Sequence, residues 1–329
     1  MTGLSFKRVL VALKPWQTGL PLAAAHARAL TRNFGGTLRL VSCVFDSQVA
    51  YGLEQRHEGA LAAQTGMLER ERIELERLAQ SLREWGAAVE TRVLWDAPAY
   101  QGALRAAREW PADLLVVGAH ERHPALRTRL TDTDWQLMRL CPCPLLLVKD
   151  PVFDGYPDIL AAVDPLHPQA SARPLDDAVL ETAAAFSRAF EAKLGVVHAF
   201  PDPASFNLAS SVEVAPGVFY DAENIEAGHR EAVGSLLASH GVPDAAVDFV
   251  PGEAASAIIE VADKRRAKLV VLGALRRSRL EQAILGSTAE RVAAELGCDV
   301  LLVPASASAD EASSPTPKDK ARKATPRRR

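Results

Sequence analysis

A chain of 329 residues with a net charge of −3 has no global field to draw it to nucleic acid or to an anionic membrane. At roughly 100–200 residues per domain, two domains are expected, and the 48% of hydrophobic residues suffices for ordinary buried cores. No apolar run of about 18 residues reads as a membrane span, Met1 to Leu10 lacks the apolar core of a signal peptide, and four cysteines in this length do not make a disulfide framework, so a reducing cytoplasm is the expected setting.

Short apolar runs at Val9–Leu13, Leu38–Ser42, Val89–Val93, Leu114–Val117 and Leu145–Val148 read as buried strands separated by helical stretches. The clearest helix carries Leu68, Leu75, Leu78, Leu82 and Trp85, spaced to fall on one face. Pro151 to Pro157, with two prolines and a glycine, reads as a linker. Beyond it the pattern resumes with strands at Ile159–Val163, Leu194–His198, Val247–Val250, Leu269–Leu272 and Val300–Val303. From about Ala305 the composition turns to Ala, Ser, Pro and Lys, which buries too little apolar surface to offset its ordering entropy, so a disordered tail is expected.

The two halves repeat each other. Asp113-Leu-Leu-Val-Val-Gly118 reappears as Lys268-Leu-Val-Val-Leu-Gly273, and Cys143-Pro-Leu-Leu-Leu-Val148 as Cys298-Asp-Val-Leu-Leu-Val303, both at an offset of 155 residues. Arg8 to Pro15 matches Asp158 to Pro165 at an offset of 150. A duplicated domain with one lengthened loop follows: residues 1–150, residues 151–305, and a tail over 306–329. Strand–helix alternation implies an α/β fold, each copy a doubly wound five-stranded parallel sheet covered on both faces.

In such a sheet ligands sit beyond the carboxyl ends of the strands, where the strand order reverses. For the order 3-2-1-4-5 this brings Asp164 and Gly273 to one crevice. The twelve residues Ala274 to Leu285 are long for a plain connection. They lead to Gly286-Ser287-Thr288 and a helix-forming stretch, an arrangement that suits an anion, although a simple helix cap has the same composition.

The spacing Gly273, two residues, position 276, nine residues, Gly286-Ser287 resembles the ATP-binding signature of universal stress proteins. In that signature two glycines three apart precede Gly and Ser or Thr. The resemblance extends to about residue 304. Through Thr133–Leu137, Cys141–Pro144, Val148–Asp150 and Pro216–His229 it is nearest the tandem subgroup E. It implies ATP as ligand, with Asp164 and Ala199 at the adenine, His198-Ala199 forming the second-strand ligand region, and Gly273, Gly286, Ser287 and Thr288 at the phosphates. It further implies action through unknown protein partners in stress resistance, including resistance to DNA damage. The apolar last strands of the two copies invite pairing with each other, giving an internal pseudo-dimer as in tandem members, itself open to further dimerisation.

Two departures matter. Position 276 is Arg where the signature has glycine; Arg276 either obstructs the backbone's approach to phosphate or pairs with it. In the first copy Lys14 replaces the aspartate, Glu121 stands at the second glycine, and Thr131-Asp132 replace Gly-Ser. A carboxylate against phosphate at an effective dielectric near 20 costs roughly 4 kcal/mol per close pair, so only the second copy is expected to hold nucleotide.

The remaining candidates read as structure. His120 and His123 read as solvated loop histidines rather than metal ligands. Cys143 and Cys298 occupy equivalent positions and read as packing residues. The apolar stretch from Phe206 to Tyr220 reads as interdomain packing rather than a lipid pocket. The basic tail, with seven Lys or Arg and one Asp over 318–329, suits weak contact with nucleic acid phosphates or simple solubilisation. No Gly-x-Ser-x-Gly elbow or Walker lysine loop occurs, so no catalytic set is expected; the enzymatic alternative is slow ATP hydrolysis or nucleotide-dependent transfer in the same crevice.

Overall fold

The structure, a computed structural model, describes residues 4–16, 19–119, 130–150, 153–167, 173–202, 222–274 and 286–305. His120, Glu121, His123, Arg276, the stretch from Phe206 to Tyr220 and the tail after residue 305 lie outside the described residues.

The first half runs β1 (Arg8–Leu13), α1 (Leu22–Phe34), β2 (Thr37–Val44), α2 (Ser47–Glu54), α3 (Ala60–Glu84), β3 (Ala88–Trp95), α4 (Ala99–Glu109), β4 (Leu114–Gly118), α5 (Asp132–Leu140) and β5 (Leu145–Val148). The second runs β6 (Asp158–Ala162), α6 (Arg173–Phe190), β7 (Lys193–Phe200), α7 (Ala222–Ser239), β8 (Ala246–Pro251), α8 (Ala254–Arg265), β9 (Leu269–Ala274), α9 (Ser287–Glu295) and β10 (Asp299–Pro304). Each half forms a parallel sheet of order 3-2-1-4-5, and the two join into one ten-stranded sheet, β3-β2-β1-β4-β5-β10-β9-β6-β7-β8. The join is antiparallel and pairs Leu146 with Leu301 directly, as the apolar edges lead one to expect.

The strands are apolar on both faces because both faces are covered. Along β10, Val300 and Leu302 enter one core while Leu301 and Val303 enter the other, the period of two imposed by the pleat. One core packs α1, α3, α6 and α7 against the sheet, the other α4, α5, α8 and α9. Both run through the two halves without interruption.

Long helix α3 buries Leu75, Ala79 and Leu82. Trp85 does not join them: it ends the helix and is 73% exposed. The apolar spacing carried one turn too far, past the last helical residue, and Trp85 instead stacks against the Arg28 guanidinium, 4.7 Å from its ring centre.

The linker is more than a tether. Tyr156 is fully buried and, with Phe153, joins Phe6, Phe34, Phe186 and Phe190 in an edge-to-face aromatic cluster between the halves. Beside it, the buried Asp299 carboxylate accepts from the Tyr156 hydroxyl at 2.8 Å and from the backbone N–H groups of Lys149 and Asp150 at 2.7 and 3.0 Å. His26 Nε2 lies 3.0 Å from the same carboxylate. Lys149 sends its ammonium to the Ala293 and Leu296 carbonyls, closing the C-terminal end of α9 from the other half of the molecule.

Candidate functional site

The strand-order reversal of the second half lies between β6 and β9, and a cleft of about 170 Å³ opens there. Its walls are Asp164 and His167 after β6, Leu175 and Asp176 from α6, Gly273 at the end of β9, and Gly286, Ser287 and Thr288 where α9 begins. The volume is below the roughly 300 Å³ at which ligand pockets usually start; the segment 275–285, which joins β9 to α9, lies outside the described residues. Five of the seven residues singled out from sequence therefore meet in one place. Ala199 stands one strand away, near the end of β7, where Val197 rather than Ala199 reaches the cleft, and Arg276 is not described.

Two glycines have different reasons to be there. A Cβ on Gly273 would sit 2.5 Å from a Leu175 methyl, so the missing side chain lets α6 close over the strand end. Gly286 has an ordinary backbone, φ −62°, and no described residue within 4 Å of where a side chain would begin. Among the described residues no side chain caps α9, and Gly286, Ser287 and Thr288 at its start line the cleft. The helix dipole adds about half a positive charge there.

The first half shows the opposite arrangement. Its equivalent cavity, about 240 Å³, is lined by Leu13, Lys14, Val41, Val117, Thr131 and Asp134. Thr131 and Asp134 form a reciprocal capping box at the start of α5, with Asp134 accepting from the Thr131 N–H at 2.8 Å. Two N–H groups of this helix start, those of Thr131 and Asp134, are thus engaged by the protein's own side chains, and Asp132 adds a carboxylate in the first turn.

Polar residues near the second-half cleft include His198, which the resemblance places with Ala199, and Asp176, which motif spacing did not single out. His198 is buried, and its Nδ1 donates to the Val163 carbonyl at 2.9 Å. Its Nε2 is then an acceptor, filled by His229 Nδ1–H at 2.7 Å. Burial, and then His198, hold His229 below its ordinary pKa. The pair fixes the backbone immediately before Asp164. On the other side, the Asp164 N–H donates to Asp176 Oδ1 at 2.9 Å. Burial above all pushes Asp176 up to about 7, with the charges of Asp164 and Asp177 adding to it. In sequence, an aspartate in the first turn of a helix draws no notice, because the helix dipole favours it there.

All four cysteines are free thiols. Cys143 is buried with its sulfur 3.7 Å from that of Cys141, whereas its repeat counterpart Cys298 is only partly buried. Burial raises Cys298 to about 12 and Cys43 to about 11, so these behave as packing groups rather than nucleophiles. Among the described residues no group of three or more His, Cys, Asp or Glu side chains is placed to hold a metal ion, and no helix is long and apolar enough to cross a membrane.

Residues 5–149 and 155–304 each match the universal stress protein family. The chain belongs to that family. Among curated universal stress proteins it is 26% identical to universal stress protein E of Photorhabdus laumondii over 302 residues, covering 91% of this chain and 95% of that one. It is equally similar, over 304 residues, to universal stress protein E of Escherichia coli, at 91% and 94% coverage. A solved Pseudomonas aeruginosa protein described as functionally unknown superposes with a TM-score of 0.70 at 27% identity, covering 93% of this chain and 95% of that one. An Archaeoglobus fulgidus universal stress protein shares the fold, with a TM-score of 0.63 at 13% identity. The chain is thus a universal stress protein of the tandem type, similar to universal stress protein E along nearly its whole length.

Proposed function

We propose that this universal stress protein binds ATP or a related adenine nucleotide once per chain, in the cleft of its second half, and acts in stress resistance through protein partners. The observation that carries this reading is the contrast between the two helix starts. Helix α9 begins at the cleft with Gly286, Ser287 and Thr288 and has no side-chain cap among the described residues, whereas α5 engages two of its first N–H groups in a capping box of Thr131 and Asp134 and adds the Asp132 carboxylate. Phosphates belong at the α9 start beside Gly273, and the adenine end belongs near Asp164 and Ala199. The family resemblance adds resistance to DNA damage as the biological output, and free thiols suit a cytoplasmic setting.

Calorimetric titration with ATP tests the reading. One site is expected in the wild type, and Gly286→Leu is expected to lose it. Undetectable binding at millimolar ATP in the wild type overturns the proposal. Arg276→Gly then assigns that residue: tighter binding marks an obstruction, weaker binding a phosphate ligand. Steady release of phosphate that depends on Asp164 would move the protein to the class of hydrolases.

A further inference from the structure

Asp176 stands out among the polar groups of the cleft. The residue is 7% exposed and lines the cleft. One carboxyl oxygen is engaged by the Asp164 N–H, and the other, Oδ2, is buried with no hydrogen-bond partner among the described residues. A buried polar atom left unpaired is costly, and such atoms point to a ligand or an ordered water.

Among the described residues none supplies a cation to hold it as a carboxylate. Asp164 and His167 lie in the segment after β6, and Asp177 follows on α6 with its own carboxylate bound to His240 at 2.8 Å. On β7, His198 is engaged by Val163 and His229. Strand β9 brings no titratable side chain. Asp299 on β10 and His26 on α1 are occupied with each other at the junction of the halves, and Arg28 of α1 lies over Trp85. An acidic pair, Asp164 and Asp176, thus faces a helix start suited to an anion. Two charged carboxyls there oppose an anionic ligand, and loss of one charge relieves that repulsion.

We propose that Asp176 is a ligand contact in this cleft, a neutral carboxyl whose Oδ2–H donates a hydrogen bond to an acceptor atom of the bound nucleotide, so that binding is coupled to retention of one proton. The inference rests on the nucleotide-binding reading above. Burial and the Asp164 charge, which raise Asp176 to about 7, supply the proton near neutrality. The site then favours ligands that present an acceptor at that point and disfavours those that present a donor. Asparagine reproduces the shape, accepts from the Asp164 N–H and always offers a donor in place of Oδ2–H.

The experiment is ATP titration by calorimetry at pH 6 and pH 8 on the full chain and on Asp176→Asn, with a melting curve of each protein to verify folding. A single proton titrating at about 7 predicts roughly tenfold weaker binding at pH 8 than at pH 6 in the wild type, because the protonated fraction falls by that factor over the interval. In Asp176→Asn that part of the pH dependence is expected to vanish, with affinity at pH 8 above that of the wild type. The terminal phosphate of ATP and the nearby histidines titrate in both proteins, so the difference between them isolates Asp176. At pH 7 the wild type should also take up a fraction of a proton on binding, read from the dependence of the heat on buffer ionisation, and more than the variant does. Equal pH dependence in the two proteins, or wild-type binding that strengthens toward pH 8, overturns the inference while leaving nucleotide binding intact. A folded wild type that binds no ATP at either pH overturns the reading on which it rests.

Discussion

Asp299 gathers more of the molecule than any other buried polar group described above. Its carboxylate accepts from Tyr156 of the linker and from the Lys149 and Asp150 backbones at the end of β5, and it faces His26 of α1. Removing one partner of a buried charged network typically costs 3–5 kcal/mol, because the others are left unpaired. Asp299→Ala should therefore lower the unfolding free energy by about that amount. Urea denaturation with an unchanged slope checks it, and an unchanged midpoint would show the network to be energetically idle. Asp176 offers a second test at this scale, in the absence of ligand. Its folded pKa, about 7, exceeds the 3.8 of an exposed aspartate. The folded state therefore holds a proton that the unfolded chain releases. This stability is fully present below about pH 4 and is lost as pH rises through 7. The melting temperature of the wild type should fall between pH 5 and pH 8 relative to that of Asp176→Asn, and parallel curves would contradict the argument.

Helices α5 and α9 occupy equivalent places in the two halves, yet one starts with a capping box and the other with bare glycine. Thr131→Ala removes a cap and should cost about 1 kcal/mol of stability without altering ATP binding. Gly286→Leu should do the reverse. Its backbone suits any residue and no described residue lies within 4 Å of the added Cβ, so the fold should survive while the new side chain occupies the phosphate position. Paired melting curves and ATP titrations on the two variants separate these outcomes; loss of folding in Gly286→Leu would refute the local argument. Much of this level was legible in the sequence. The ten strands stand out because burial on both faces leaves continuous apolar runs, and the cleft stands out because the reversal of strand order follows from their succession. Other features were hidden for physical reasons. Asp176 looks like an ordinary first-turn acid until its burial is known. Tyr156 sits among prolines and glycine that read as loop, and His229 meets His198 only through the packing of α7 on the sheet. Trp85 shows the opposite error, because helical spacing says nothing about where the helix stops.

At the scale of the whole molecule the two halves share one sheet and both cores. Each half alone would end in an apolar edge strand, β5 or β10, whose N–H and C=O groups seek a partner. Antiparallel pairing of the two edges resolves both at once, and it makes both cores continuous from one half to the other. Leu146 and Leu301 face each other at the centre of that seam, both 0% exposed, and burial of each side chain contributes about 1.5–3 kcal/mol. A single aspartate at either position loses that contribution and must also be desolvated beside an apolar partner, whose pairing register it cannot escape because slipping by one residue would turn the strand's two faces over. A loss of about 3–5 kcal/mol is expected for Leu301→Asp, which corresponds to a fall of roughly 6–20 °C in melting temperature for a domain of 150–250 residues. Because the edge freed by this change belongs to both halves, the variant should also self-associate at concentrations where the wild type does not, seen as a mass increase in light scattering. Calorimetry distinguishes the origin of the loss. A shared seam predicts one cooperative transition in the wild type that broadens or divides in the variant, as the halves begin to melt separately. Two independent transitions already present in the wild type, neither displaced by Leu301→Asp, would mean that the halves merely touch.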